Sequence, residues 1–410
     1  MGCCASAPGS PGGESAVARA RREARGVAIP HFNRSGVTDA CVLSDPSGSA
    51  ARLFAGLDAR RGANAYVSDP YRGEPIARWH AHDKPVSRVA WLPRARKLLT
   101  ASRDGTCALW SDPQQIPDDE PLLHPGGFAP ARAYRAGDLP VTGLCAVEER
   151  GVFVTASRDY SVKVWDLEAA TSVVTSPSSA SRVSRNVATH LRRVPGEPLV
   201  VQTSEDLRVR VFDLRVPLHE AAAVQTLESG HGDIPKCVDV AEDGVTVLVG
   251  ANGFERGAGC ELRVFDRRAL SRSSSDPGSS GGNVTCSVRE MRGHEAAVNG
   301  VAFVPGVRGA GGGAIAVSAS TDRTVRVWDC GRGDEIGAAP LRFDGYEKSP
   351  GDAGAVTCVA AAPPEVGGEG GPGAFVAGEY GGKTQAWRIV DGGTGETVSE
   401  AWTEGAAPEE

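Results

Sequence analysis

No apolar run in this 410-residue chain approaches the ~18 residues needed to span a bilayer, so any hold on a membrane has to be covalent. Basic residues are not in excess. Lys and Arg number 44 against 51 Asp and Glu, a formal net charge of −7, which argues against the electrostatic footprint of a nucleic-acid binder. The ten cysteines include no Cys-x-x-Cys and no Cys/His cluster with zinc-finger spacing, so no metal and no other cofactor is expected. A secretory signal is missing as well, and the expectation is a cytoplasmic protein with free, mostly buried thiols. With 52 glycines and 27 prolines the chain stays below the level of wholesale disorder. These residues cluster, however, and the clusters read as insertions.

What the chain does contain is a repeat. An apolar strand, a small-residue triplet, an Asp turn and an alternating strand ending on an aromatic residue recur along it. Leu98-Leu99-Thr100-Ala101-Ser102-Arg103-Asp104 leads to Trp110, and Phe153-Val154-Thr155-Ala156-Ser157-Arg158-Asp159 leads to Trp165-Asp166. Ala316-Val317-Ser318-Ala319-Ser320-Thr321-Asp322 leads in the same way to Trp328-Asp329. Weaker copies end on Phe212-Asp213, Phe265-Asp266 and Trp387, and a first copy is read as ending near Tyr66. Seven anchors result: Tyr66, Trp110, Trp165, Phe212, Phe265, Trp328 and Trp387. The excess length between them falls in the Pro-, Ser- and Gly-rich stretches 112–130, 271–285, 305–313 and 363–373, which read as loops.

Each unit alternates with period 2, as in Val325-Arg326-Val327-Trp328. A lone four-stranded sheet cannot bury both faces, whereas units stacked in a ring cover one another and protect their edges. The chain is therefore expected to be all-β, a seven-bladed β-propeller over residues 26–391. A flexible arm (1–25) precedes it and an acidic tail (392–410) follows. Gly26-Val27-Ala28-Ile29-Pro30 is favoured as the outer strand completing the last blade, since Pro30 is tolerable on an edge; Thr397–Trp402 is the rival.

Two units combine the elements of a buried relay: His82, Thr100, Asp104 and Trp110, then His294, Ser318, Asp322 and Trp328. The indole N–H donates, the hydroxyl bridges and the carboxylate orients the imidazole. Ser, His and Asp also suggest a hydrolase. Here the set repeats, ends on Trp and lies within a strand pattern without a nucleophile elbow, so a structural role is preferred and no catalytic residue is assigned. Gly378–Thr384 is one residue out of register for a phosphate-binding loop, and strands flank it where a helix should follow. It reads as a turn.

The units resemble WD40 repeats. More narrowly, Val183-Ser184-Arg185-Asn186-Val187-Ala188-Thr189-His190-Leu191, Gln202-Thr203-Ser204-Glu205-Asp206 and Ala251-Asn252-Gly253-Phe254 resemble the WD repeat-containing protein 31 family. That resemblance implies a non-catalytic ciliary or flagellar factor working with trafficking complexes or small-GTPase regulators. It also marks Arg185, Asn186, Asn252 and Phe254 as candidate contacts with other proteins. Phe212-Asp213-Leu214-Arg215 and Phe265-Asp266-Arg267-Arg268 resemble the Trp-Asp-x-Arg motif of propellers that dock on a cullin-type ubiquitin ligase adaptor, with Phe for Trp in both. Arg215 and Arg268 then carry the alternative function, a ligase substrate receptor.

Met1-Gly2-Cys3-Cys4-Ala5-Ser6 fits the N-myristoylation pattern on Gly2, with Cys3 and Cys4 placed for palmitoylation. One myristoyl chain binds membrane only marginally, at about 10⁴ M⁻¹, and a second makes the hold stable. Arg19, Arg21, Arg22 and Arg25 add attraction to anionic lipid, diluted by Glu14 and Glu23. The expected protein is a scaffold lying peripherally on a membrane, with a cilium or flagellum as its place of action.

Overall fold

The computed structural model describes residues 27–29, 36–44, 51–58, 63–68, 75–113, 128–169, 172–175, 186–216, 223–228, 233–253, 258–269, 283–309, 312–336, 341, 354–362, 373–392 and 396–401. These hold thirty strands, numbered here in chain order. Seven sheets are formed, antiparallel except for one added strand in blade 4. Blade 1 contains β2 (Val37–Ser44), β3 (Ala51–Leu57), β4 (Ala65–Ser68) and β5 (Pro75–Trp79). Blade 2 contains β6 (Val86–Leu92), β7 (Lys97–Ser102), β8 (Thr106–Trp110) and β9 (Arg132–Arg135). Blade 3 contains β10 (Val141–Val147), β11 (Val152–Ser157), β12 (Val162–Asp166) and β13 (Ser172–Thr175). Blade 4 contains β14 (Ala188–Arg193), β15 (Leu199–Ser204), β16 (Val209–Asp213) and β17 (Gln225–Glu228).

Blade 5 contains β18 (Pro235–Val240), β19 (Thr246–Ala251), β20 (Leu262–Asp266) and β22 (Arg289–Met291). Blade 6 contains β23 (Val298–Arg308), β24 (Ala314–Ser320), β25 (Val325–Asp329) and β26 (Asp334–Glu335). Blade 7 is built on β27 (Val356–Ala361), β28 (Ala374–Glu379) and β29 (Thr384–Gly392). The first strand of each blade packs against the first strand of the next, and β27 packs against β2, so the ring is closed. Its apolar clusters lie between blades: Trp328 with Met291 and Leu248 between blades 5 and 6, Trp387 with Val327 and Ile315 between blades 6 and 7.

Four hydrogen bonds stitch the inner strands edge to edge. Thr142 Oγ1 donates to Ala188 O (2.6 Å), Thr189 Oγ1 to Pro235 O (2.5 Å), Asn299 Nδ2 to Val356 O (2.6 Å) and Thr357 Oγ1 to Val37 O (2.6 Å). All four donors occupy the second position of their strand, where a regular β-bulge shifts the register.

The structure departs from the sequence reading in four places. The outer edge of blade 7 is shared: β1 (Val27–Ile29) pairs with Thr384–Ala386, and β30 (Glu396–Ala401) pairs with Trp387–Gly392 of the same strand. Residues 396–401 thus belong to the propeller, not to a tail. Within the expected loop 305–313, β23 runs on to Arg308, which pairs with Ala314. Residues 283–286, three of them inside the expected loop 271–285, form β21 and extend blade 4 by parallel pairing with β17. Finally, Tyr66 is not the anchor of blade 1. Trp110 pairs with Leu98, four residues before the end of β7, and the residue four before the end of β3, Leu53, pairs with Ser68. Trp79 on β5 supplies the missing bulk, packing on Phe54 at 5.7 Å and Trp110 at 5.6 Å between ring centres.

Candidate functional site

In each blade the start of the first strand and the end of the second lie on one face of the ring, and the end of the first and start of the second lie on the opposite face. The first face carries the relays. In blade 6, His294 Nε2 lies 2.7 Å from Ser318 Oγ, which also accepts Trp328 Nε1–H at 2.8 Å. His294 Nδ1 lies 2.8 Å from Asp322 Oδ2. The carboxylate also accepts from Glu295 N and from the Thr324 hydroxyl. Burial alone would push Asp322 up, but the hydrogen bond and charge of His294 and the bond from Thr324 outweigh it and hold the carboxyl well below the usual range.

Blade 2 repeats this with one change. His82 Nε2 lies 2.8 Å from Thr100 Oγ1, which accepts Trp110 Nε1–H at 2.9 Å. His82 Nδ1 meets Thr106 Oγ1 at 2.9 Å, while Asp104 Oδ2 is 3.5 Å away. Asp104 Oδ1 in turn accepts Thr106 N–H and its hydroxyl, and it too is held well below the usual range despite burial. Thr106 and Thr324 therefore belong to the relays, although the sequence reading missed them. Their place two residues after the Asp was the available signal. Asn64 was missed as well: fully buried, it bonds the backbone of Ala81, His82 and Lys84 and fixes the loop that presents His82.

The remaining blades show why the relay is partial elsewhere. Blade 3 retains Trp165 Nε1–H donating to Thr155 Oγ1 at 2.9 Å, but Gly137, four residues before β10, stands where His82 and His294 stand before β6 and β23. In blade 4, the Phe212 side chain has no N–H to donate, and Asp206 turns to the buried Arg210 at 2.5 Å. In blade 7, Ala377 occupies the hydroxyl position. The hydroxyl oxygens of Thr100 and Ser318 are fully buried and engaged on both sides, so neither is presented to a substrate.

Cysteine chemistry is equally subdued. The seven described cysteines are free. Burial pushes Cys145, Cys237, Cys330 and Cys358 up to about 12 and Cys107 higher still, so the thiols stay protonated. Among the described residues no group of three His, Cys, Asp or Glu is placed to hold a metal ion. The inner strands do bring charges together: Arg192 bonds the buried Asp239 at 2.5 Å, and Arg88 donates to Thr189 O at 3.3 Å. Burial and the cations Arg88 and Arg192 keep His190 well below its ordinary value, hence neutral.

The candidate contact residues divide between the faces. Asn186, exposed, and Asn252, whose N–H donates to Ile234 O, sit on the relay face of blades 4 and 5. Arg215 and Arg268 project from the opposite face, with side chains 66% and 76% exposed. Arg215 forks onto Asp213 at 2.6 Å, whereas Arg268 approaches Asp266 only to 3.5 Å. Gly2, Cys3, Cys4, Arg185 and Phe254 lie outside the described residues.

The family model described as "WD domain, G-beta repeat" matches residues 73–111 and 285–329, the two segments that hold the full relays. WD repeat-containing protein 37 of Xenopus laevis is 26% identical over 201 residues, 48% of this chain and 36% of that protein. Ribosome biogenesis protein YTM1 of Yarrowia lipolytica is 28% identical over 229 residues, 47% of this chain and 43% of its own. The Denticleless protein homolog of Danio rerio is 34% identical over 91 residues, 22% of this chain and 12% of its own. The chain thus spans less than half the length of these relatives. The matched repeats and the closed ring of seven blades agree, and the chain belongs to the WD40-repeat β-propellers.

Proposed function

We propose that this propeller is a non-enzymatic protein-interaction scaffold, held on a membrane by acyl chains on Gly2, Cys3 and Cys4. We further propose that it serves ciliary or flagellar trafficking or small-GTPase regulation. One observation carries the scaffold reading: both Ser/Thr–His–Asp sets are consumed inside blades by Trp N–H groups, which leaves the two loop faces as the working surfaces. The tether rests on the motif Met1-Gly2-Cys3-Cys4-Ala5-Ser6, and the ciliary role on the resemblance carried by Val183–Leu191, Gln202–Asp206 and Ala251–Phe254. Metabolic labelling with an alkyne myristate analogue tests the tether, with Gly2→Ala expected to lose both label and membrane fraction. Unchanged fractionation would remove the tether from the proposal. A C-terminally tagged protein, leaving Gly2 free, is expected at the cilium or flagellum.

The second reading is a substrate receptor for a cullin-type ubiquitin ligase. Its support is that Arg215 and Arg268 project from one face of adjacent blades. Co-purification of the adaptor at normal expression, lost in Arg215→Ala and Arg268→Ala, is its test. Without adaptor the reading fails.

A further inference from the structure

Six of the seven inner strands carry a short polar side chain at their second residue: Thr38, Ser87, Thr142, Thr189, Asn299 and Thr357. Each donates to a backbone carbonyl of its own blade or of the next. The remaining inner strand, β18 of blade 5, carries Lys236 there. Its ammonium bonds a side chain instead, Asn299 Oδ1, at 2.6 Å. A hydroxyl suffices at this seam, as Thr189 shows one blade earlier, so ring closure does not account for a charge in this place.

That charge is also uncompensated. Two carboxylates lie on the described inner strands. Asp239 pairs with Arg192 at 2.5 Å, and Asp39, bonded by the N–H groups of Ala40 and Val89, sits in the field of Arg88. Of the other cations on these strands, Arg193 pairs with Glu149, and Arg308 ends β23 on the opposite face. Counting each carboxylate against its cation leaves Lys236 over. Burial and the neighbouring Arg88 charge hold it below its ordinary value, and no carboxylate opposes them.

Two further nitrogens are buried without a hydrogen-bond partner, Arg88 Nε and His190 Nδ1, and such groups call for an explanation. Arg88 and His190 hold the same place in their blades, each paired with the last residue but one of the second strand, Ala101 and Thr203. From blade 2 the Arg88 guanidinium reaches the carbonyl of Thr189, the neighbour of His190 in blade 4. Its charge acts on both His190 and Lys236. All three side chains are partly exposed, so solvent reaches them. Their needs differ. Arg88 and Lys236 have N–H groups to give, whereas the neutral imidazole donates to the Val238 backbone and leaves Nδ1 bare, in need of a donor.

We propose that the mouth of the central channel on the relay face binds a protonated phosphate group, whose oxygens accept from Lys236 and Arg88 while its hydroxyl donates to His190. A carboxylate or sulfate ion meets the needs of the two cations only; at neutral pH phosphate alone adds the O–H. Free phosphate and a phosphoserine side chain offer the same group, and the test separates them. The site goes beyond the scaffold reading and is independent of the tether and of the adaptor.

Calorimetric titration of the full chain at pH 7 and one ionic strength compares sodium phosphate, sodium sulfate and a Gly/Ser pentapeptide bearing one phosphoserine. Saturable binding of phosphate is expected, about tenfold tighter than that of sulfate; a formal net charge of −7 gives either ion no general attraction to the chain. Peptide bound more tightly than phosphate supports the site with a phosphorylated segment as its source, and the reverse order supports it with the free ion. Lys236→Thr installs the residue of neighbouring blades, so it should keep the thermal midpoint while weakening phosphate about tenfold. Arg88→Gln should weaken it as well, and His190→Leu should erase the preference over sulfate. Arg193→Gln, on the same strand as His190 but paired with Glu149, should bind as wild type does. Absence of saturable binding by both phosphate and phosphopeptide overturns the proposal, as does sulfate bound equally well. Unchanged affinity in Lys236→Thr overturns it too, and so does an equal loss in Arg193→Gln, which would make general surface charge the cause.

Discussion

Thr357 Oγ1 donates to the carbonyl of Val37 at 2.6 Å, joining two inner strands that are 320 residues apart in sequence. Thr357→Val keeps the shape and leaves that carbonyl without its donor. The expected cost is about 1–3 kcal/mol, the penalty for orphaning a buried acceptor, read as a lower urea midpoint. Thr38→Val is the control, because its hydroxyl bonds Gly56 O within blade 1. It should cost less, since it joins no separate blades. Equal effects would deny the inter-blade bond a special part in closure.

Ser318→Ala removes the oxygen that accepts Trp328 N–H and meets His294 Nε2. Two fully buried polar groups lose a partner together, so a loss of about 2–4 kcal/mol is expected from the same penalty. Thr155→Ala in blade 3 orphans only Trp165 N–H, because no histidine sits above it, and should cost roughly half as much. Thermal or urea unfolding of the two variants decides it.

Asp322 gives the relay a pH signature. Its carboxyl is held below the unfolded value of 3.8, so the folded state binds the proton less readily than the unfolded chain. Its contribution is complete above that value and is lost as pH falls through the lower, folded value. Asp322→Asn should therefore be less stable than wild type at pH 7, with the gap shrinking as pH falls below 3.8. A gap independent of pH would mean that the carboxylate charge contributes nothing.

Glu379 has the opposite sign. Four blades place Ser102, Ser157, Ser204 and Ser320 opposite the first paired residue of the inner strand, and blade 7 places Glu379 there, opposite Val356. Ser102 donates to Pro85 O; a protonated carboxyl can donate likewise, an ionised one cannot. The side chain is fully buried, with no hydrogen-bond partner for either oxygen among the described residues. Burial pushes it up to about 7, against the opposing pull of Lys383. Stability should be complete below the unfolded value of 4.5, decline as pH rises from there, and level off above about 7. Glu379→Gln should match wild type near pH 4.5 and exceed it at pH 8 in thermal midpoint. A wild-type midpoint that rises between those values would refute this.

Much of the fold was legible because the repeat is local. The strand, Asp turn and Trp strand of blades 2, 3 and 6 lie within short windows, and their hydroxyl-to-Trp spacing is the hairpin register itself. Non-local pairing was less legible. Nothing near Asn283 shows that it will pair with Gln225 of another blade. Blade 1 lacks an Asp turn, so the aromatic nearest the expected spacing, Tyr66, was taken for an anchor two residues early. The left-handed backbone at Tyr160 and Leu207 was hidden for another reason: handedness at a turn leaves no mark on composition when the residue is not Gly or Asn.

The shared edge of blade 7 gives the last prediction. Ala401 of β30 pairs with Trp387, and Val27 of β1 pairs with the preceding residue, Ala386. Both strands run antiparallel to β29, so Val27 occupies the next register place after Ala401. A direct peptide bond between them would make one uninterrupted outer strand. A circular permutant joining Ala401 to Val27, with new ends in the Ser- and Gly-rich stretch 271–282, should therefore fold with the parent's circular dichroism. Its midpoint should equal or exceed that of the parent, because closing the edge covalently reduces the entropy cost of pairing β1. The comparison is a permutant with the same new ends but six glycines between Ala401 and Val27, which offers no continuous register. If that variant is as stable as the direct fusion, the two strands do not form one line along β29.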